Sequence, residues 1–271
     1  MPAENDPTTR IDAHVHGDPK AFQGDPKAYV EAWRARGLEA AVLIESLEEC
    51  LAAVRAFGDF IIPCPRIEMD DCSARDVEAC FKAGCPAVKF IRPAAPYADE
   101  RYWPLYEMVE QQGKTAVFHT GYLGFRQREE RPVQMEHMRA AQIEVISRRF
   151  PEMKILMAHF SNPWWEEAWK VMWTKKNVYA DLSGGTAYRR SLNMWGEMFA
   201  PNGDLMADAV AKLVCASDAS LWTETENPME PFFSFYDKLY DRLNLSDELR
   251  ERVNRGNAEA LFAVETLKHG T

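Results

Sequence analysis

The stretch "RIDAHVH", residues 10–16, sets His14 and His16 one residue apart in a short apolar run. Side chains alternate faces along an extended chain, so the two imidazoles project together while Asp12 and the intervening Val15 pattern differently. Such a pair can grip one metal ion. Neighbouring histidines also occur at strand ends with no chemistry at all, so the placement of the others decides. The chain of 271 residues has six histidines: His119 lies in "VFHTG", His159 in "LMAHFS", His137 in a helical pattern and His269 in the tail. Asp218 follows the apolar "KLVCAS".

The elements that must position these residues repeat. Eight β-type runs, "RIDAHVH", "LEAAVLIES", "DFIIPCPRIE", "PAVKFIRP", "TAVFHTG", "KILMAHFSN", "NVYADLSG" and "KLVCASDAS", are each followed in nearly every case by a helical pattern. "SLEE" is a capping box, and Ser73 precedes "ARDVEACFKAG", whose Val77, Cys80 and Phe81 share a helical face. "HMRAAQIEVISRRFP" and "PWWEEAWKVMWTKKN" give two more amphipathic helices. Eight β-then-α repeats imply a parallel sheet covered by helices, closed as a single-domain (β/α)8 TIM barrel of the α/β class over residues 1–271. A doubly wound open sheet is the alternative, weakened because no G-x-G-x-x-G follows the first strand.

Barrel enzymes do their chemistry at the C-terminal ends of the strands. His14 and His16 end the first run, His119 the fifth, His159 the sixth and Asp218 the eighth, so four of the six histidines meet at one mouth. Neutral imidazoles with a carboxylate are the ligands of a borderline divalent ion such as zinc, and a catalytic site leaves one position open. Water bound there ionises near neutral pH and supplies a hydroxide nucleophile.

Composition narrows the class. Hydrophobic residues make up 46% and charged ones 27%, as in ordinary globular proteins. A net charge of −10 argues against nucleic acid, whose phosphates reward clustered Lys and Arg. No apolar run approaches the roughly 18 residues of a membrane span, and "MPAENDPTTR" lacks the basic-then-apolar pattern of a signal peptide. The expectation is a cytoplasmic protein acting on a small molecule, with no nucleic-acid or membrane partner; a homo-oligomer is compatible with it. The six cysteines form no C-x-x-C pair, which points to reduced thiols, and Cys215 reads as a core residue.

Over nearly its whole length the sequence resembles the amidohydrolase superfamily, and most closely the amidohydrolase-related group that includes aminocarboxymuconate-semialdehyde decarboxylase and related lactonases. "IDAHVH", "VKF", "FHTG", "AHFSNPWWEEA", "NVYADLSG", "ASD" and "NRGNAEALF" carry the resemblance in order. It implies that His14, His16, His119 and Asp218 hold one metal ion, Zn2+ or alternatively Mn2+, and that His159 polarises or protonates the reacting group. Asp218 would also accept a proton from metal-bound water. Lys89 of "VKF" would accompany a single metal or, carboxylated as in binuclear members, bridge two. "CASDAS" departs from the group in lacking a glycine before "SD" and a proline after it, so the eighth loop is expected to differ in shape.

Arg66 and Arg92, after the third and fourth strands, could clamp a substrate carboxylate in bidentate geometry or form rim ion pairs. The long charged loop "GYLGFRQREERP", with Arg126, Arg128 and Arg131, could wall the pocket or be a solvated surface loop. Trp164 or Trp165 could line the site, the other packing its helix with Trp169 and Trp173. The expected reaction is hydrolysis of an ester, lactone or amide bond of a small, carboxylated substrate by metal-bound hydroxide. Non-oxidative decarboxylation is the alternative, and a barrel that binds metal or ligand without turnover is the alternative of another class.

Overall fold

A computed structural model describes residues 9–124, 133–185, 187–222 and 227–264. Each expected β-run contains a strand: β1 (Arg10–His16), β2 (Leu38–Leu43), β3 (Ile61–Pro63), β4 (Arg66–Glu68), β5 (Ala87–Ile91), β6 (Thr115–His119), β7 (Lys154–Ala158), β8 (Val178–Asp181), β9 (Leu213–Val214) and β10 (Ala219–Ser220). All pairings are parallel, in two arcs of order β10-β1-β2-β3 and β4-β5-β6-β7-β8-β9. Together the arcs make a TIM barrel. The "DFIIPCPRIE" run is split into β3 and β4 because Pro63 and Pro65 have no amide to continue a ladder. Backbone bonds still bridge the split: Cys64 N donates to Leu43 O at 3.0 Å, and Lys89 N to Pro65 O at 2.9 Å. The other seam closes where Ala13 N donates to Cys215 O at 3.0 Å and Asp218 N to His14 O at 2.8 Å.

The barrel has two cores, as alternating strands between a packed interior and a helical layer require. Inside, Ile11, Val42, Val117, Leu156 and Val214 pack with Ala258, Leu261 and Phe262 of the helix Asn257–Phe262. That helix plugs the N-terminal end. Thr115 Oγ1, at the start of β6, donates to Leu261 O at 2.5 Å, and Lys154 Nζ, at the start of β7, to Ala260 O at 2.8 Å. Outside, the strands meet the helices; Ser46 and Glu49 form the expected capping box, and Val77, Cys80 and Phe81 are buried on the third helix, Ala74–Lys82. With the bottom sealed, polar groups inside the barrel are left only the C-terminal mouth.

Two local differences from the sequence reading concern β1 and His137. Asp12, expected to pattern differently from the two histidines, shares their alternation at positions 12, 14 and 16, and the β1–β2 register shifts between Asp12 and Val15. The Asp12 carboxylate accepts from the amides of His14 at 3.1 Å and Ser217 at 3.0 Å. His137 lies in a 3-10 turn, Met135–Met138, ahead of the helix Ala140–Arg149, with Nδ1 3.4 Å from Pro93 O.

The bottom plug yields a stability test. Asn257 is buried, and its Nδ2 donates to Ala211 O at 2.9 Å and Leu213 O at 2.7 Å. Asn257→Ala strips both carbonyls of that donor and is expected to cost about 1–3 kcal/mol in denaturant unfolding, with KM unchanged. An unchanged denaturation midpoint would refute this role for the plug.

Candidate active site at the barrel mouth

β1 delivers His14 and His16 to the mouth, and the tautomer of His16 follows from its neighbours. His16 Nδ1 lies 2.8 Å from Ile44 O. A carbonyl only accepts, so Nδ1 carries a proton, and in the neutral ring that a metal would meet Nε2 holds the lone pair. That Nε2 and His14 Nε2 each lie 3.2 Å from the same atom, Asp218 Oδ1. Asp218 reaches them through a left-handed backbone, φ 64°. Donor atoms of His14, His16 and Asp218 all fall within 4.8 Å of one another.

This donor set fits a borderline divalent cation, since two imidazole nitrogens and a carboxylate oxygen converge. Lys89, buried on β5, tests the fit, because its Nζ donates to His14 Nε2 at 2.7 Å. Positive charge is therefore already accommodated against the lone pair a metal would use.

A second group stands beside the first. Asp181, the last residue of β8, accepts at Oδ1 from His159 N at 2.9 Å, Ser183 N at 2.9 Å and Ser183 Oγ at 2.5 Å. Its Oδ2 is buried without a hydrogen-bond partner among the described residues, 3.7 Å from His14 Nδ1. The His159 ring packs between those of His14 and His119, with centroids 4.8 and 4.6 Å away. His159, Phe160 and Ser161 take φ of 68°, 48° and 51°, three consecutive left-handed residues that turn the chain sharply after β7. Backbone of this kind costs of order 1–3 kcal/mol per residue and collects at functional sites.

Burial sets the protonation states. It pushes His14 and His119 well below the ordinary imidazole range, and His159 down to about 4. Lys89 is lowered by the same cause to about 8. Burial also opposes charge on His16, but hydrogen bonds to Asp218 and Glu45 win and raise it. Desolvation would raise Asp218; attraction to His159 and His14 and the bond from His16 hold it well below the usual carboxylate range.

His119 packs against His159 but contributes a donor atom to neither group among the described residues. Its Nε2 lies 3.3 Å from Tyr122 O, and its backbone carbonyl accepts from Tyr97 Oη at 3.0 Å. Arg66 and Arg92 do meet, around Glu68: Arg66 Nε and Arg92 Nη1 approach its Oε1 at 3.7 and 3.9 Å. Arg66 Nη1 also lies 3.8 Å from Glu45 Oε2, while Glu45 Oε1 is 3.4 Å from His16 Nδ1. Trp164 carries the Arg139 guanidinium over its ring at 4.7 Å, Trp165 packs against Trp195 at 5.5 Å, and Trp169 stacks on Trp173 at 5.3 Å. Arg126, Arg128, Arg131 and His269 lie outside the described residues. Sequence reasoning missed Asp181, Ser183 and Glu45; Asp181 and Glu45 carried the same signal as the histidines, an ionisable residue at the C-terminal end of a β-run.

The chain belongs to the amidohydrolase family, whose model, described as "Amidohydrolase", matches residues 19–264. It is thus an amidohydrolase-family, metal-dependent enzyme; Lys89, His119, His159 and Asp218 fall inside the match and His14 and His16 just before it. No curated protein is similar enough in sequence to match. Among solved structures, an uncharacterized TIM-barrel protein from Bordetella bronchiseptica superposes with a TM-score of 0.66 at 17% identity, over 94% of this chain and 99% of that one. A probable 2-pyrone-4,6-dicarboxylic acid hydrolase from Acinetobacter baumannii, with citric acid bound, gives 0.60 at 11% identity over 94% and 99%. A 5-carboxyvanillate decarboxylase from Novosphingobium aromaticivorans, complexed with manganese and 4-hydroxy-3-methoxy-5-nitrobenzoic acid, gives 0.60 at 10% over 94% and 96%. At these identities the likeness establishes the fold.

Gly184 tests how tightly the site is drawn together. It takes φ 82°, and a Cβ there would lie 2.7 Å from His159 Nδ1 and 3.3 Å from Asp218 Oδ2. Gly184→Ala must displace both groups, and a shift of about 1 Å can cost about 10²-fold in rate. Steady-state kinetics on the best substrate should show that loss in kcat; wild-type kcat would mean that these groups are not the reacting ones.

Proposed function

We propose that the chain is a metal-dependent hydrolase acting on an ester, lactone or amide bond of a small, carboxylated organic molecule. One observation carries the reading: two imidazole lone pairs and a carboxylate converge on a single point beside the buried, neutral imidazole of His159. His14, His16 and Asp218 would hold one divalent ion, with Zn2+ best suited to their chemistry. His119 would join them only by giving up its contact with Tyr122 O. A bound ion supplies Lewis acidity and acidifies water. His159, neutral at physiological pH, offers an acceptor to a proton released at the scissile bond. Lys89, poised at about 8, balances the charge of Asp218.

Arg66 and Arg92 would orient the substrate carboxylate, since a guanidinium fork matches its geometry. Decarboxylation is the second reading, favoured by one feature: Glu45 links His16 to Arg66, so a carboxylate taken up by Arg66 would sit close to the donor atoms. Structural neighbours titled as a hydrolase and as a decarboxylase are compatible with either reaction.

Loading the protein with zinc or manganese and turning over a panel of lactones, amides and aromatic carboxylates, with product identification, distinguishes the two. Elemental analysis should find about one ion per chain. His159→Asn should keep its metal while losing about 10² to 10⁴-fold in turnover, the usual span of acid–base groups. Asp218→Ala should lose both, and equal metal loss in the two variants would refute the division of roles.

The arginines make a separate prediction. Arg66→Lys or Arg92→Lys keeps the charge but loses the fork, so one of them should lower kcat/KM on an acidic substrate by about tenfold, roughly 1.4 kcal/mol. Full efficiency in both, with a neutral substrate preferred, would remove the carboxylate clamp.

A further inference from the structure

Ser183 sits at the centre of the second donor group. Its Oγ lies 2.5 Å from Asp181 Oδ1, 3.0 Å from His159 Nδ1 and 3.5 Å from His14 Nδ1. We propose that Ser183 is a positioning residue that sets the tautomer of both imidazoles, protonating each at Nδ1 and turning both Nε2 lone pairs into the site. The inference rests on the reading above for what those lone pairs then do.

A hydroxyl has one proton to give and two lone pairs to offer. Asp181 Oδ1 already accepts from the amides of His159 and Ser183, so it cannot itself donate, and the hydroxyl proton goes to it. The lone pairs of Oγ are then left for the two histidines. At His159, Nδ1 faces a second acceptor, the Ser183 carbonyl, at 3.4 Å. A nitrogen between two acceptors carries the proton.

At His14 the same result follows from the opposite edge of the ring. The Lys89 ammonium lies 2.7 Å from Nε2, closer than the Asp218 Oδ1 that faces the same nitrogen at 3.2 Å, and its donation requires a lone pair there and places the single proton on Nδ1. Asp181 Oδ2, 3.7 Å away and otherwise without a hydrogen-bond partner, adds a further acceptor on that side. Outer groups of this kind fix ring orientation and tautomer in metal sites generally.

Two consequences follow. The opposite tautomer of His14 would turn an N–H toward any cation held by His16 and Asp218 and would repel it. The second donor group, His14, His159 and Asp181, is not a second ion site, because the hydroxyl lies among its donor atoms and uses them. One serine thus separates a cation-holding edge from a substrate-facing edge.

Long-range proton–nitrogen correlation spectra of the metal-free full-length chain, labelled with 15N-histidine, read the tautomers directly. His14→Asn and His159→Asn assign the signals. The expected spectrum shows both rings protonated at Nδ1; an Nε2–H form of either ring in the wild type overturns the proposal with no further variant needed. Ser183→Ala should shift His159 toward the Nε2–H form and lower kcat about tenfold or more with KM little changed, and Ser183→Thr, which keeps the hydroxyl, should restore both. An unaltered His159 spectrum in folded Ser183→Ala also overturns it. Failure of the functional reading shows elsewhere, as full turnover by His159→Asn with the Nδ1 protons still in place.

Discussion

Three aspartates hold the barrel mouth together: Asp12 and Asp181 tie neighbouring strands by accepting protons that would otherwise be buried without partners, and Asp218 sets its carboxylate against both histidines of β1. Asp12 joins β1 to the segment after β9 through the amides of His14 and Ser217. Asp181 joins the end of β8 to the turn after β7 through His159 N and Ser183. Asp218 returns from the turn after β9 to both histidines of β1. Interior-facing imidazoles and a lysine could not be buried at one end of an apolar barrel without such acceptors, because unpaired buried polar groups cost more than their hydrogen bonds return. The same burial keeps His159 and His14 neutral, so the constraint that shapes the fold also prepares the chemistry. Asp12 shows its cost: desolvation raises its carboxyl to about 7 even though Ser217 and His14 donate to it.

The backbone carries the rest of that cost. Left-handed residues occur where side chains must leave the strand direction at once: Arg92 after β5, His159 to Ser161 after β7, and Asp218 between β9 and β10. A strand that ran on would point these groups along the barrel wall. The abrupt turns aim them across the mouth, and Gly184, the only residue type with no Cβ, lets the loop after β8 close over His159.

The fold was legible because its signals are local. Eight apolar runs with helices between them leave few alternatives, and each run holds a strand. Legibility failed where tertiary hydrogen bonding decides. The doublet of prolines at 63 and 65 broke one run, and the turn at Asp218 shortened another to two paired residues on either side of it. In the site, alternation and strand-end position were enough to gather His14, His16, His159 and Asp218, since barrel geometry does the rest. The same rules could not separate His119 from them, because its ring direction depends on the Tyr122 carbonyl. Nor could they find Ser183, whose role depends on how a proton is shared among Asp181, His159 and His14. Such partners have no spacing in the sequence.

Tight and loose networks meet at Glu45. On its inner side lie His16, 2.8 Å from Ile44 O and 3.2 Å from Asp218, and beyond it the 2.5 Å bond from Ser183 to Asp181. On its outer side, Arg66, Glu68 and Arg92 approach one another at 3.7 to 3.9 Å, longer than hydrogen bonds and in partly exposed positions. Partly exposed pairs at such distances contribute little stability, so a carboxylate taken up by Arg66, as proposed above, would displace little there. The inner contacts are shorter although His16 and Asp218 are themselves only half-buried, so distance rather than burial separates the two networks. Short contacts around the donor atoms and longer ones outside them are the arrangement a reacting site needs, since the groups that act must be held in place by their neighbours.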